Sequence, residues 1–217
     1  MRVAAGAGGR VRLPPHAPGQ RIGLYGGSFD PAHRGHRHVA TVAMRRLKLD
    51  RVWWLVTPGN PLKDRRGLPP AAERVRQAQT AARHPRMVAT GFEEVLGFAY
   101  TVETVRFLVR RCPDVSFVWI VGADSFATMH RWRAWKTIAR SMPIAVVDRP
   151  GWTLAALRSR AARTFAAGQI RPARRLPTSP PPAWTFIHAP RSSVSSTTLR
   201  AKDKTRTSLP LKNRVQP

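Results

Sequence analysis

His33 and His36 stand three residues apart in the stretch Gly26-Gly27-Ser28-Phe29-Asp30-Pro31-Ala32-His33-Arg34-Gly35-His36. On the first turn of a helix that spacing places both imidazoles on one face. Glycine lets a backbone approach a ligand closely, and a helix start offers unpaired N–H groups to anionic oxygens. Two ring donors above such a cradle suit phosphate chemistry. The elements that must position them lie on either side. Ile22-Gly23-Leu24-Tyr25 reads as a short strand, and Val39, Val42, Ala43 and Leu47 trace the inner face of a helix. Gly26, Gly27, Ser28, Phe29 and Gly35 are therefore candidate phosphate-cradle residues, with His33 and His36 as the reacting-site donors. The competing reading is a buried strand–turn–helix whose histidines cap or pack.

Three further groups could join them. Ser192 to Arg200 follows a late strand, and hydroxyl residues at a helix start both cap it and present donors to an anion. Ser195, Ser196 and Thr197 are the candidates there, and the Arg200 guanidinium adds a fork suited to phosphate. Gly122 and Asp124 close the apolar run Val115–Val121, where a carboxylate can accept hydrogen bonds from a ribose or simply cap a helix. Lys63, in the loop after Val52–Val56, is either a solvated lysine or a phosphate contact.

The order of elements is strand, helix, strand, helix. Continuous apolar runs at Val52–Val56, Val115–Val121 and Ile144–Val147 suit strands covered on both faces, and Met87–Thr90 and Trp184–His188 are shorter candidates. Helices are expected at Ala71–Ala82 and Thr101–Val109, and a surface helix at Leu154–Ala167. Arg171–Pro182, with five prolines, reads as a loop. This alternation implies an α/β fold with a doubly wound, Rossmann-like parallel sheet in a single domain, whose ligands sit beyond the carboxyl ends of the strands. Residues 1–20 are expected to be a flexible extension, 21–200 the folded domain, and 201–217 a basic, frayed tail.

Composition narrows the class. The 217 residues suffice for a substantial core, and no apolar stretch nears the roughly 20 residues that span a bilayer. Cys112 is the only cysteine, which excludes an internal disulfide and fits a reducing cytoplasm. The net charge of +27 invites a nucleic-acid reading. Its arginines are scattered rather than blocked, so no specific nucleic-acid partner is expected, and no membrane.

Gly27, Phe29, Pro31, His33, Gly35 and His36 fill every fixed position of Gly-x-Phe-x-Pro-x-His-x-Gly-His, and the chain thereby resembles the nucleotidyltransferase relatives of class I aminoacyl-tRNA synthetases. Val194 to Arg200 is similar to the same superfamily's Ile-Ser-Ser-Thr-x-x-Arg, with Val for Ile. Tyr100-Thr101-Val102-Glu103-Thr104 and Gly122-Ala123-Asp124 followed by His130-Arg131-Trp132-Arg133-Ala134-Trp135 resemble segments of the nicotinate-nucleotide adenylyltransferases. The resemblance implies transfer of AMP from ATP, with Mg²⁺, to nicotinate mononucleotide. It implies His33, His36, Lys63 and Arg200 as catalytic groups. ATP would meet Gly26, Gly27, Ser28, Phe29, Gly35, Gly122, Asp124, Ser195, Ser196 and Thr197. The pyridine nucleotide would meet Tyr100, Thr101, Trp132 and Trp135, with one tryptophan face against the flat, cationic ring. Two rivals remain: a different phosphorylated acceptor such as nicotinamide mononucleotide, and a basic RNA-binding protein on the same fold.

Overall fold

Short apolar runs bounded by Gly, Pro or Asp form six strands: β1 (Arg21–Gly27), β2 (Arg51–Val56), β3 (Met87–Thr90), β4 (Ser116–Gly122), β5 (Ile144–Val147) and β6 (Trp184–Ile187). The computed structural model describes residues 11–58 and 67–189. The strands join one sheet in the order β3-β2-β1-β4-β5-β6. Every pairing is parallel, so Tyr25 of β1 faces Trp54 on one side and Ile120 on the other. This is the Rossmann-like sheet in a single domain that the alternation of elements implies.

Side chains alternate between the two faces, and each face has its own core. Leu24, Trp53, Leu55, Trp119 and Val146 pack on one side with helices α4 (Thr101–Arg111), α5 (Ala123–Ala127) and α6 (Trp135–Ser141). Tyr25, Trp54, Val118, Ile120 and Val147 pack on the other with α1 (Arg34–Leu47) and α2 (Ala71–Ala82). Neighbouring Trp53 and Trp54 are both fully buried, on opposite faces. That is why β2 reads as an unbroken apolar run. Helix α1 buries Val39, Ala40, Ala43, Met44 and Leu47 at helical spacing and ends at Lys48 in the left-handed region. Helix α2 turns Ala71, Ala78 and Ala82 inward, so it can lie close to the sheet.

The structure corrects two expectations. The segment expected as one surface helix over 154–167 is two short helices, α7 (Thr153–Leu157) and α8 (Arg160–Thr164). Ser159 breaks it, because its hydroxyl accepts the Ala162 N–H at 3.1 Å and caps α8. Ala156, Ala161 and Ala162 are buried, so the pair packs into the first core. The proline-rich stretch expected as a loop contains a 3₁₀ turn at Ala173–Thr178, and Leu176 in it is fully buried in the second core. Among the described residues no helix is long and apolar enough to cross a membrane. The helix α3 (Phe92–Val95) has no sequence signal of its own.

Residues 11–20 lie in the part of the chain expected to be flexible, and here they run against the first core. Val11 and Leu13 pack on it. Gly19 N–H donates to the Asp114 carbonyl at 2.7 Å, and the Gln20 carbonyl accepts from Ser116 N–H at 2.9 Å. The His16 ring stands edge-on to Trp53 at 5.7 Å, with Nε2 3.5 Å from the buried Cys112 Sγ. Deleting residues 1–20 is expected to destabilise the fold by about 2 kcal/mol, the worth of roughly one buried apolar side chain. A urea or thermal melt measures it. An unchanged midpoint would mean that the segment contributes nothing.

Candidate active site

The first turn of α1 is capped by imidazoles. His33 is the N-cap in extended backbone, and its Nδ1 accepts the Gly35 N–H at 3.0 Å. The His36 Nδ1 reaches back to accept the His33 N–H at 3.3 Å. Two donors that a helix start leaves unpaired are thus satisfied reciprocally, with histidines in place of the usual hydroxyl and carboxylate. A ring nitrogen that accepts a backbone N–H carries no hydrogen, so each neutral ring holds its proton on Nε2. The two rings lie 3.9 Å apart, centroid to centroid, inclined by 33°. His33 is 7% exposed. Burial, with the charge of Arg149, lowers its pKa to about 4, so it is a neutral N–H donor near pH 7.

The turn before α1 has its own support. Phe29 adopts φ +48, a left-handed conformation that costs a non-glycine residue on the order of 1 kcal/mol. Its ring is buried and stacked on Trp54 at 5.1 Å, with Tyr25 and His36 meeting it edge-on at 5.7 and 5.0 Å. A Cβ on Gly27 would come within 3.3 Å of that ring, so glycine there lets the phenyl fold back under the turn.

Across the neighbouring strand end, Gly122 closes β4 and Asp124 lies in the first turn of α5. Arg149, just after β5, donates Nη1–H to Asp124 Oδ2 at 3.0 Å. The other oxygen, Oδ1, is buried and has no hydrogen-bond partner among the described residues, so it is an acceptor available to a ligand hydroxyl. A side chain on Gly122 would collide with Asp124 Oδ1 and come within 2.8 Å of Arg149 Cδ. Burial raises the Tyr25 phenol above its ordinary value, with Arg149 opposing and Asp124 adding to the shift. Arg149 therefore acts on both His33 and Tyr25, and Asp124 acts on Tyr25. They lie where β1 parts from β4, the point at which such sheets bind ligands.

A second grouping forms at the start of α4. Glu103 Oε2 accepts from the Ala99 and Tyr100 N–H groups at 2.8 and 2.9 Å, which fixes the approach to Thr101. The Arg133 guanidinium sits 4.6 Å over the Tyr100 ring, bringing the Trp132–Trp135 segment to the same place. Both tryptophans are half-buried against the first core, and Trp135 meets Phe165 edge-on at 5.7 Å. The structure thus gathers Gly26, Gly27, Ser28, Phe29, His33, Gly35, His36, Gly122 and Asp124 into one group, and Tyr100, Thr101, Trp132 and Trp135 into another. Lys63, Ser195, Ser196, Thr197 and Arg200 lie outside the described residues.

Two arginines at the site were not singled out in the sequence. Arg149 had a signal, since Asp148-Arg149-Pro150-Gly151 is a turn directly after an apolar run. Arg74 had none. In α2 it reads as one of several surface arginines, yet it is 1% exposed.

Comparison with known proteins agrees with this fold. The family model described as cytidylyltransferase-like matches residues 24–202. A probable nicotinate-nucleotide adenylyltransferase of Methylorubrum extorquens (strain PA1) is 59% identical over 184 residues, covering 84% of this chain and all of that protein. One from Rhizobium johnstonii is 51% identical over 190 residues, covering 87% of this chain and 96% of its own. Among solved structures, Plasmodium falciparum nicotinic acid mononucleotide adenylyltransferase complexed with APC aligns with a TM-score of 0.61 at 16% identity. It covers 84% of this chain and 83% of its own, a likeness of fold.

Replacing Arg149 with Gln removes a positive charge beside His33, so the His33 pKa is expected to rise from about 4 toward its ordinary value. A ring-proton NMR titration reads this directly. In the native protein, stability should fall as the pH drops from about 6.5 to about 4, because only the unfolded imidazole binds a proton in that window. The Arg149→Gln variant should show a smaller fall.

Proposed function

The chain belongs to the cytidylyltransferase-like family and, within it, to the nicotinate-nucleotide adenylyltransferases; from that premise we propose how its residues transfer the adenylyl group of MgATP to nicotinate mononucleotide in NAD biosynthesis. A phosphate oxygen of the mononucleotide attacks the α-phosphorus. The bond from that phosphorus to the bridging α–β oxygen breaks, and pyrophosphate leaves with the electron pair. The product is nicotinate adenine dinucleotide. The nucleophile is already ionised at neutral pH, so no strong general base is required. What the protein must do is hold two anions in line and offset the charge that builds on the departing phosphates.

The reading is carried by the reciprocal histidine cap. Holding both Nδ1 atoms on backbone N–H groups commits both Nε2–H groups as donors, at a helix start that itself favours anions. His33 and His36 would meet the phosphate chain, and the Gly26–Phe29 backbone and Gly35 would line its cradle. Asp124 Oδ1 would accept from a ribose hydroxyl. Lys63, Ser195, Ser196, Thr197 and Arg200 are assigned to the departing phosphates on the resemblance of their motifs. Tyr100, Thr101 and the Trp132–Trp135 segment would take the pyridine nucleotide, with Trp132 favoured because Phe165 already engages Trp135. Among the described residues no group of three or more His, Cys, Asp or Glu could hold a metal ion. Magnesium would come with ATP as the substrate complex and would supply charge neutralisation on the phosphates, beside the donors His33 and His36. The free thiol of Cys112 suits a reducing cytoplasm.

His36→Ala is expected to lower turnover about 10²- to 10³-fold, the usual cost of losing one preorganised donor to a transition-state charge. Pyrophosphate release from MgATP measures it, and near-normal turnover in a folded variant would sink the mechanism. Offered nicotinate and nicotinamide mononucleotides separately, the wild-type protein should prefer the acid. Equal rates, or preference for the amide, would reassign the acceptor.

A further inference from the structure

Arg74 is among the largest fully buried side chains, on a helix whose other buried residues are alanines. Its guanidinium is spent on three main-chain carbonyls. Nη1 donates to Ser28 O and to Thr57 O, both at 2.8 Å, and Nε donates to Pro69 O at 2.8 Å. These carbonyls belong to the turn after β1, the turn after β2 and the lead into α2. A charge removed from water is costly, and an apolar side chain at an inward position of α2 would be the ordinary choice. The planar fork of arginine spreads its donors over three nitrogens in fixed directions, which suits carbonyls on three separate segments.

We infer that Arg74 is a positioning residue that sets the β1–α1 turn in its ligand-ready shape before substrate arrives. This rests on the reading of that turn as the phosphate cradle. The peptide unit joining Ser28 to Phe29 is planar, so its C=O and N–H point in opposite directions. Anchoring the Ser28 carbonyl on Arg74 therefore fixes where the Phe29 N–H is aimed. Phe29 itself is held in a left-handed conformation that surrounding contacts must enforce. The stack on Trp54 restrains its side chain, and Arg74 restrains the backbone just before it. Thr57 N–H, donating to Gly27 O at 3.0 Å, adds a second tie between the same two turns. The clamp thus spans the ends of β1 and β2 without occupying the ligand's place.

The test uses Arg74→Lys and Arg74→Gln in the full chain, assayed for pyrophosphate release at a temperature where each is folded by near-ultraviolet circular dichroism. Lysine keeps the charge and loses the fork. Turnover at saturating substrates is expected to fall about 10- to 100-fold, the scale of a small misplacement at a preorganised site. KM for nicotinate mononucleotide should stay near the wild-type value. A folded Arg74→Lys with wild-type turnover and wild-type KM for ATP overturns the inference, whatever its melting temperature. If neither variant folds, backbone ¹⁵N relaxation of the ligand-free wild type decides. Order parameters of about 0.85 across Gly27–Phe29 and Thr57 support a preset turn, and values below about 0.6 overturn it. His36→Ala, run alongside, separates the two readings. An active His36→Ala removes the phosphate cradle itself, whereas an inactive one beside a fully active Arg74→Lys removes only the role of Arg74.

Discussion

The position of β1 between β2 and β4 is the constraint from which the site follows. Both neighbours are parallel to it, so the chain must leave the end of β1 and cross over one face to reach β2, while β4 leads onward on its other side. At that parting the ends of β1 and β4 lie side by side with no crossover bridging them, and loops from distant parts of the sequence meet there. The glycine turn and paired histidines come from one side. Gly122, Asp124 and Arg149 come from the other. Because all strands run the same way, every one of these groups lies at a carboxyl end, and the opposite rim is left to packing such as that of residues 11–20.

Within this frame, electrostatics is arranged by main-chain groups as much as by ion pairs. The His33 imidazole is kept neutral by burial and by Arg149, and both imidazoles are oriented by amides of their own helix start. Two charged rings 3.9 Å apart would repel, so a neutral His33 is compatible with the stack. Arg149 pairs with one oxygen of Asp124, while the other has no hydrogen-bond partner among the described residues. Arg74 donates to carbonyls on the segments it ties. The chain's net charge of +27 therefore conceals two arginines whose work is internal and local, and neither resembles a patch for a polyanion.

Rigidity at this rim has a packing origin. The phenyl of Phe29 is inserted between Trp54, Tyr25 and His36, so the strained turn is wedged against a buried aromatic cluster. Trp54 belongs to β2, whose full burial on both faces comes from helices crossing above and below the sheet. The glycine turn is in this way continuous with the core, and its shape does not depend on solvent-exposed contacts.

The fold class and the histidine turn were legible in the sequence because their signals are local. Apolar runs of strand length alternate with helical periodicity, and six fixed residues lie within ten positions of one another. Helix α2 and strand β3 keep their expected limits, since alanine spacing and a short apolar run suffice to mark them. Local pattern failed at Leu154–Ala167, where one serine hydroxyl ended a helix that composition alone would have continued. It was silent on Arg74 and Arg149, because an arginine in a helix or a turn looks the same whether it faces water or three carbonyls. Tertiary structure decided which ring nitrogen each histidine offers, which oxygen of Asp124 is spoken for, and which arginines are buried. The histidine cap joins residues two and three apart, whereas the Asp124 and Arg74 partnerships join groups 25 and 46 positions apart, and no spacing along the chain encodes those encounters.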